Sequence, residues 1–344
     1  MQNDRHGFFF ALAAVLLWST VATAFKITLS YLTPVQMVAM ASSVSFLFLF
    51  AWVAISGELK DVWPALKTHP SYYLLLGLLN PLLYYLILFQ AYALLPASQA
   101  QPLNYTWAIA LTFMAALFLG QKIRKRDWIA CFLGYCGVLV IATQGNVLAF
   151  EFVSGLGVAL ALISTFLWAG YWILNTRHPG RPVITLLLCF ALATPIAWLA
   201  TFMLPWLGVS NLSALAAAPA EGVVSTLSFW QAYWQSWQQI PWQGWLAVSY
   251  VGLFEMGLTF VLWLKAMKMS SNTAKISNLI FISPFISLLL LALIIGEHVG
   301  IATVGGLLLI IGGLIVQQWQ RRTPVAGEPR PRKGSGILQS RKPD

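Results

Sequence analysis

Ten apolar segments run through the chain, and each is long enough to cross a membrane as a helix, which takes about 20 apolar residues. Of the 344 residues, 59% are hydrophobic and 9% are charged, whereas soluble domains carry about 25% charged residues. The sequence therefore predicts an all-α integral membrane protein. The predicted transmembrane helices cover residues 7–29, 34–56, 71–94, 98–119, 127–144, 153–175, 182–207, 242–267, 272–295 and 299–319.

Lys and Arg set the expected orientation of these helices, because cytoplasmic loops carry an excess of basic residues. With the amino terminus inside, all but one of the 20 Lys and Arg residues fall on the cytoplasmic side. The exception is Lys26, at the outer end of the first helix. Both termini are therefore predicted to be cytoplasmic. Because membrane topology explains the net charge of +10, we expect the lipid bilayer as a partner and no nucleic acid.

One connection, at about 208–241, is long and predicted to be extracytoplasmic. It contains FWQAYWQSWQQIPWQGW, in which aromatic residues recur at helical spacing. Such a segment is typical of an interfacial helix in the aromatic belt, and a lid over the outer mouth is the alternative. The tail, 321–344, is basic and rich in Pro and Gly, so we expect it to be disordered.

The two halves of the chain resemble each other. Trp18 in the first helix corresponds to Trp168 in the sixth, and Asn104 in the fourth corresponds to Asn278 in the ninth. Because each half holds five helices, an odd number, the halves must enter the membrane in opposite senses. Inverted five-helix repeats are a transporter architecture with a substrate site near the midplane. The predicted domains are a first repeat at 1–147, a second repeat at 148–320 and the tail.

Groups that could perform chemistry are not expected inside the membrane. The four His residues and the Asp residues lie at helix ends, in loops or in tails, and no GxxxxGK[ST] phosphate loop is present. Cys131, Cys136 and Cys189 lie in apolar runs, where cysteines behave as small hydrophobes. Hydrolysis would need acids, His or Cys that converge on a metal or nucleophile. We therefore expect a protein that is not an enzyme and that uses no cofactor or metal.

Two charged residues are the candidates for coupling or gating. Glu255 lies near the centre of the eighth helix, where an ionised side chain is costly and rarely kept without use. It is expected to couple protons or to recognise an amine; a neutral Glu255 bonded to a neighbouring helix, or paired with a lysine, is the alternative. Lys26 either snorkels to the interface or acts at an outer gate.

The crowded polar stretch PLNYTW, in the fourth helix, is the main candidate for contact with a substrate. Asn104 and Trp107 are three residues apart and share a helical face. Aromatic faces hold rings or cations, although aromatic residues can also serve only helix packing. The predicted binding residues are Trp18, Tyr84, Tyr85, Asn104, Trp107, Trp168, Tyr171 and Asn278.

Glycines cluster in the fifth helix, as GYCG, and in the tenth, as TVGGLLLIIGG. Small residues let helix backbones approach each other closely in a membrane. Close packing within the chain is therefore the simplest interpretation of these glycines. A homodimer face is the alternative.

Several motifs resemble a known family. LWST in the first helix, NYTW followed by LGQK in the fourth, and FLWAGY in the sixth are similar to the drug/metabolite transporter superfamily, in its EamA-type branch, over about residues 7–320. Within that branch the motifs most resemble the YddG-like aromatic amino acid exporters. The resemblance implies export of Phe, Tyr, Trp and some cationic drugs, with the family's aromatic positions at Trp107 and Trp168. The chain departs from the exporters at Ala108, where they have Pro.

The sequence thus predicts a transporter in the bacterial inner membrane that exports small metabolites by alternating access. Amino acids with aromatic or apolar side chains are the expected substrates. A multidrug or quaternary-cation exporter, with Glu255 as counter-ion and proton-coupling group, is the alternative. A sensor or assembly subunit that transports nothing is a third interpretation, but it would not need two-sided symmetry.

Overall fold

The computed structural model describes residues 4–120, 122–148, 152–176, 180–206, 226–269 and 278–318. Helices and short connections make up this described part, with no β-strand in it. The helices are α1 Asp4–Leu29, α2 Pro34–Ile55, α3 Leu59–Thr68, α4 Pro70–Leu94, α5 Ala97–Leu119, α6 Lys125–Ala142, α7 Gly155–Thr176, α8 Pro182–Trp206, α9 Thr226–Gln238, α10 (Trp242–Tyr250, Val251–Leu258 and Thr259–Met269), α11 (Asn278–Ile282, Ser283–Leu290 and Leu291–Ile295) and α12 Ile301–Gln318.

Seven helices in the described ranges, α1, α2, α4, α5, α7, α8 and α10, are long and apolar enough to cross a membrane. The remaining predicted spans coincide with α6, of 18 residues, and with the shorter apolar helices Leu279–Ile295 and Ile301–Gln317. The all-α membrane fold is therefore confirmed. The count of ten spans and the cytoplasmic termini stay predictions, and the tail lies outside the described residues.

The surface around the perimeter of the helix bundle is apolar. Ile55, Leu117, Phe132 and Leu293 are 88%, 77%, 70% and 72% exposed, although each is a large hydrophobic residue. Soluble proteins rarely expose large contiguous apolar patches, whereas lipid tails are as apolar as these side chains. The exposed faces are therefore suited to lipid.

Helix packing is repeated with the two halves exchanged. The contact between α1 and α10 corresponds to the contact between α7 and α4 in the other half. In the same way, the contact between α5 and α7 corresponds to the contact between α11 and α1. α2 pairs with its counterpart α8, and α6 pairs with its counterpart α12. A two-fold relation between the halves produces this set of pairs. The centre of the bundle therefore lies where both halves contribute equivalent helices.

Glycines bring α6 and α12 into close contact. A Cβ on Gly137 would lie 2.5 Å from the carbonyl oxygen of Gly306, and a Cβ on Gly306 would lie 2.6 Å from that of Gly137. Such distances leave no room for a side chain, so these glycines serve packing within the chain. Gly305 and Gly312 border open space, and the homodimer stays a prediction.

Three helices that wall the centre are irregular there. α4 departs from helical geometry at Asn80 (φ −146°, ψ 117°), next to Pro81. α5 has a turn at Tyr105 and Thr106, and α10 passes through a π-helical stretch at Val251–Leu258. Irregular backbone inside a membrane is tolerated where it lines a cavity or is buried in protein, and π-bulges often mark functional sites. The interruptions therefore point to the centre as the functional region.

The aromatic helix α9 is docked on the outer end of α8. Trp237 stacks on Trp198 with ring centroids 5.2 Å apart, and Trp230 lies 5.0 Å from Phe202. Trp234 is 57% exposed, as an interfacial anchor would be. No described residue of α9 lines the central cavity. These contacts favour the interfacial helix over the lid.

Candidate functional site

A cavity of about 670 Å³ lies between the two halves, walled by α1, α4, α5, α7, α10, α11 and α12. Pockets for small molecules fall in the range of about 300–1,000 Å³. The lining is mainly apolar and aromatic, with a few polar groups. It includes six of the residues predicted from the sequence: Trp18, Tyr84, Asn104, Trp107, Trp168 and Glu255.

Aromatic rings from both repeats form the walls of this cavity. Trp168 stacks on Tyr84 with centroids 4.7 Å apart and an interplanar angle of 29°. Phe260 contacts Trp168 at 5.9 Å and Trp18 at 6.0 Å, and Trp18 lies 5.3 Å from Trp263. The two tryptophans related by the repeat are therefore joined through one phenylalanine. Such a surface suits a flat ring or a cation.

Asn104 is held in place from two sides. Its Oδ1 accepts a hydrogen bond from the Tyr84 hydroxyl at 3.4 Å, and its Nδ2 donates to Ser164 Oγ at 3.0 Å. These partners lie on α4 and α7, and Asn104 is on α5. The amide is therefore fixed at the place where three helices meet beside the cavity.

Glu255 brings a carboxyl group to the cavity. Its Oε1 accepts a hydrogen bond from the Tyr85 hydroxyl at 3.2 Å, and the Trp18 side chain is close enough to the carboxyl group to act as a second donor. The buried Oε2 makes no hydrogen bond of good geometry with a described residue. No Lys, Arg or His is found in the described lining. The expected alternative of a pairing with lysine is therefore not found in the described part of the chain, and one carboxyl oxygen is left for a further partner.

Three predicted site residues, Tyr85, Tyr171 and Lys26, do not line the cavity, and a fourth, Asn278, stays a prediction. Tyr85 is 1% exposed and lies behind Glu255, to which it donates, and Tyr171 is 3% exposed and stacks on Trp168 at 5.7 Å. Both therefore pack behind cavity residues, and their contact with a substrate stays a prediction. Lys26 lies at the outer end of α1. Asn278 begins α11, but its side chain lies outside the described residues.

The cavity extends toward the end of the bundle that the basic residues assign to the cytoplasm. Its lining reaches Leu119, the last residue of α5, and Leu314, near the end of α12. At the opposite end it stops at Phe25 and Tyr92, whose rings are 5.3 Å apart. Both rings are at most 3% exposed. The cavity therefore extends toward the end predicted to be cytoplasmic and is bounded by these two rings at the opposite end.

Two charged residues bind helix ends near this boundary of the cavity. Lys26 Nζ donates to the carbonyl oxygens of Tyr92 at 2.9 Å and Leu95 at 2.8 Å, at the end of α4. The Glu297 carboxylate accepts from the backbone N–H groups of Ala97 at 3.2 Å and Ser98 at 2.8 Å, at the start of α5. Each charge thus binds the helix terminus of opposite polarity.

Comparison with known families identifies the chain. The sequence profile of the EamA-like transporter family matches residues 5–143 and again residues 185–317. The chain belongs to the EamA-like transporter family. Two successive matches in one chain confirm the repetition predicted from the sequence, and the EamA-type resemblance is confirmed with it. The limits of the predicted repeats, 1–147 and 148–320, stay predictions.

Individual relatives are consistent with this family. The chain is 28% identical to Protein RarD of Salmonella typhi over 238 residues, which are 66% of this chain and 76% of that protein. Protein RarD of Salmonella typhimurium matches equally. A solved crystal structure aligns with a TM-score of 0.55 and 22% identity over 90% of this chain and 96% of the other, which supports the fold alone.

Sequence reasoning missed several residues of this EamA-like transporter's site. Trp263, Trp172 and Gln101 line the cavity, and Glu297 binds α5. Two signals were available in the sequence. Gln101 lies three residues before Asn104 on one helical face. In the repeat, Gly120 after the fourth helix corresponds to Gly296 after the ninth, and Glu297 is the next residue.

The lining of the cavity suits the binding of a small molecule. No group of three or more His, Cys, Asp and Glu residues that could hold a metal occurs in the part of the chain that the structure describes. The polar groups in the cavity can orient a small molecule, and the aromatic walls can hold its apolar part. Together with the family, this arrangement identifies a membrane transporter of small metabolites.

Proposed function

We propose that this EamA-like transporter exports amino acids with aromatic or apolar side chains across the bacterial inner membrane. The observation that carries the proposal is the composition of the cavity, in which aromatic walls surround one carboxyl group and two amide groups. An aromatic amino acid has matching parts: a ring, an ammonium group and a carboxylate. The volume of about 670 Å³ is also sufficient for such a molecule.

The ring of the substrate would lie against Trp168 and Trp18. The Trp168–Tyr84 stack and the contact of Trp18 with Phe260 offer two broad faces from opposite repeats. The ammonium group would pair with the Glu255 carboxylate, whose Oε2 is without a partner among the described residues. The Asn104 amide would contact the polar end of the substrate.

Alternating access is the proposed mechanism. The substrate would enter from the cytoplasmic end, where the lining reaches Leu119. The halves would then rock about the central site, so that the outer contacts of Lys26 and Glu297 separate and the cavity opens outward. Protonation of Glu255 would weaken its hold on the ammonium group and couple release to protons. Lys26 thereby acts as a gate residue.

Export of organic cations is a second candidate function. The observation that favours it is the charge of the lining, which holds one carboxyl and no Lys, Arg or His among the described residues. Aromatic rings around a carboxylate can bind cations that carry no carboxylate of their own. The two candidates differ in whether the substrate needs a carboxylate group.

Counterflow in proteoliposomes tests the proposal. Liposomes with purified transporter are preloaded with unlabelled phenylalanine, and uptake of radiolabelled phenylalanine is measured with tryptophan, tyrosine or methyl viologen as competitors. Uptake that tryptophan and tyrosine suppress supports amino acid transport. Exchange of methyl viologen in the same liposomes, without exchange of phenylalanine, would reject amino acid transport and favour the organic-cation exporter.

A further inference from the structure

Gln101 is a buried polar residue of the cavity whose acceptor atom is unused. It lies on α5, three residues before Asn104, and lines the same cavity. The residue is only 6% exposed, and its Oε1 has no hydrogen-bond partner among the described residues. A buried acceptor without a donor costs free energy, so such an atom calls for an explanation.

A second unused acceptor borders the same space. Glu255 Oε2 is buried and without a partner in the described ranges, while Oε1 of the same carboxyl is bound by Tyr85. The two acceptors come from α5 and α10, on opposite repeats. Because the described lining contains no Lys, Arg or His, no cationic donor of the protein faces them there. A bound molecule with several N–H donors that reaches both side chains would satisfy these acceptors.

We propose that Gln101 and Glu255 together accept hydrogen bonds from a protonated amine of the substrate. A primary ammonium group has three N–H donors, so it can bind a carboxylate oxygen and an amide oxygen at once. A quaternary ammonium group has no N–H donor and would leave Gln101 unsatisfied. Gln101 is therefore a specificity residue that selects protonated primary amines over quaternary cations.

This inference deepens the proposed function and rests on transport through the same cavity. It differs from that function in what it requires of the substrate. The amino acid proposal needs both an ammonium and a carboxylate group, whereas the Gln101 proposal concerns the ammonium group alone. Ligands that carry one group each can therefore test the two separately.

Three ligands with the same phenyl ring provide the test: phenethylamine, its N,N,N-trimethyl analogue and 3-phenylpropionate. Their dissociation constants are measured by calorimetry on the purified full chain in nanodiscs. We expect phenethylamine to bind about tenfold more tightly than the trimethyl analogue, since a hydrogen bond to a charged group is lost in the latter. We expect 3-phenylpropionate to bind most weakly, because it offers no ammonium group to Glu255.

Gln101→Leu should reduce the preference for phenethylamine over the trimethyl analogue to about twofold or less, because the amide acceptor is gone. Gln99→Leu is the matched control. Gln99 is on the same helix, is 4% exposed and has an unpartnered Oε1, but it does not line the cavity. Gln101→Glu, which keeps an acceptor, should retain the preference for the primary amine.

The outcomes separate the two proposals. Three results would overturn the role of Gln101. The first is equal binding of phenethylamine and its trimethyl analogue to the native protein, and the second is no binding of either amine. The third is an equal loss of the preference for phenethylamine in Gln101→Leu and Gln99→Leu. A preference that depends on Gln101, combined with no counterflow of phenylalanine, would retain that role and reject amino acid transport. Counterflow of phenylalanine, combined with no preference for phenethylamine over its trimethyl analogue, would retain amino acid transport and reject the role of Gln101.

Discussion

Lys26 and Glu297 both bind the turn between α4 and α5. Lys26 binds the carbonyl groups of Tyr92 and Leu95, and Glu297 binds the N–H groups of Ala97 and Ser98. Because α1 and the α11–α12 connection carry the two charges, this turn ties both repeats together at the outer end. In the proposed transport cycle, these contacts hold the outer side closed while the cavity faces the cytoplasm.

Removing Lys26 should favour the outward-open state. In a chain whose native cysteines are replaced, Ala108→Cys places a thiol in the cavity lining. A membrane-impermeant thiol reagent is added from outside to right-side-out vesicles. We expect Lys26→Met to increase labelling of the Ala108→Cys thiol by about threefold or more, because two charge-assisted hydrogen bonds are lost. Lys67→Met, at an exposed position of α3 that is predicted to be cytoplasmic, is the control. Unchanged outside labelling would contradict a gating role for Lys26.

Loss of the Trp168 ring should weaken substrate binding. Trp168 contacts Tyr84, Phe260 and the cavity at once, so Trp168→Ala removes a wall of the site. We expect the KM for phenylalanine to rise about tenfold, since an aromatic contact contributes about 0.5–1.5 kcal/mol beyond its buried area. The measurement is initial uptake in proteoliposomes. Trp234→Ala, on the exposed face of α9, should keep the native KM; an equal rise in both variants would argue against the site.

Glu255→Gln should separate the exchange of substrate from the coupling of transport to protons. Glutamine cannot lose a proton, so a proton gradient can no longer drive accumulation if Glu255 is the coupling group. We expect gradient-driven transport to fall by about tenfold or more, while counterflow of phenylalanine without a gradient falls less, and transport of methyl viologen is lost. Retention of gradient-driven transport in Glu255→Gln would show that another group couples the protons.

Gly306→Ala should destabilise the packing of α6 against α12. Its new Cβ would lie 2.6 Å from the carbonyl oxygen of Gly137, so the helices must move apart. We expect a loss of about 1–3 kcal/mol, seen as a lower Tm in detergent. Gly305→Ala, the neighbouring position, meets open space and should leave the Tm unchanged. The same Tm in both variants would show that close glycine packing is not needed.

The helices were predictable because lipid imposes long apolar runs, and the predicted limits differ from the observed ones mostly by a few residues. The repeat also predicted that Trp18 and Trp168 approach the same centre, and both line the cavity. The side of a helix that each residue occupies was harder to predict. Tyr84 and Tyr85 are adjacent and about 100° apart around the helix, so only Tyr84 lines the cavity.

Residues that bind through tertiary contacts were missed for a physical reason. Glu297 lies in a connection, where a carboxylate is ordinarily solvated, and only the fold brings the start of α5 to it. Gln101 is a neutral side chain in a polar stretch, and its isolation from donors is visible only once the helices are packed. In both cases the sequence gives the residue type and the fold gives the partner.

The central claim is that a substrate occupies the cavity between the repeats and enters it from the cytoplasm. The direct test is labelling of Ala108→Cys, in the background without native cysteines, by an impermeant thiol reagent added to inside-out vesicles. The account predicts rapid labelling that phenylalanine slows in a concentration-dependent manner. Labelling that phenylalanine does not affect, or labelling from the outer side only, would contradict it.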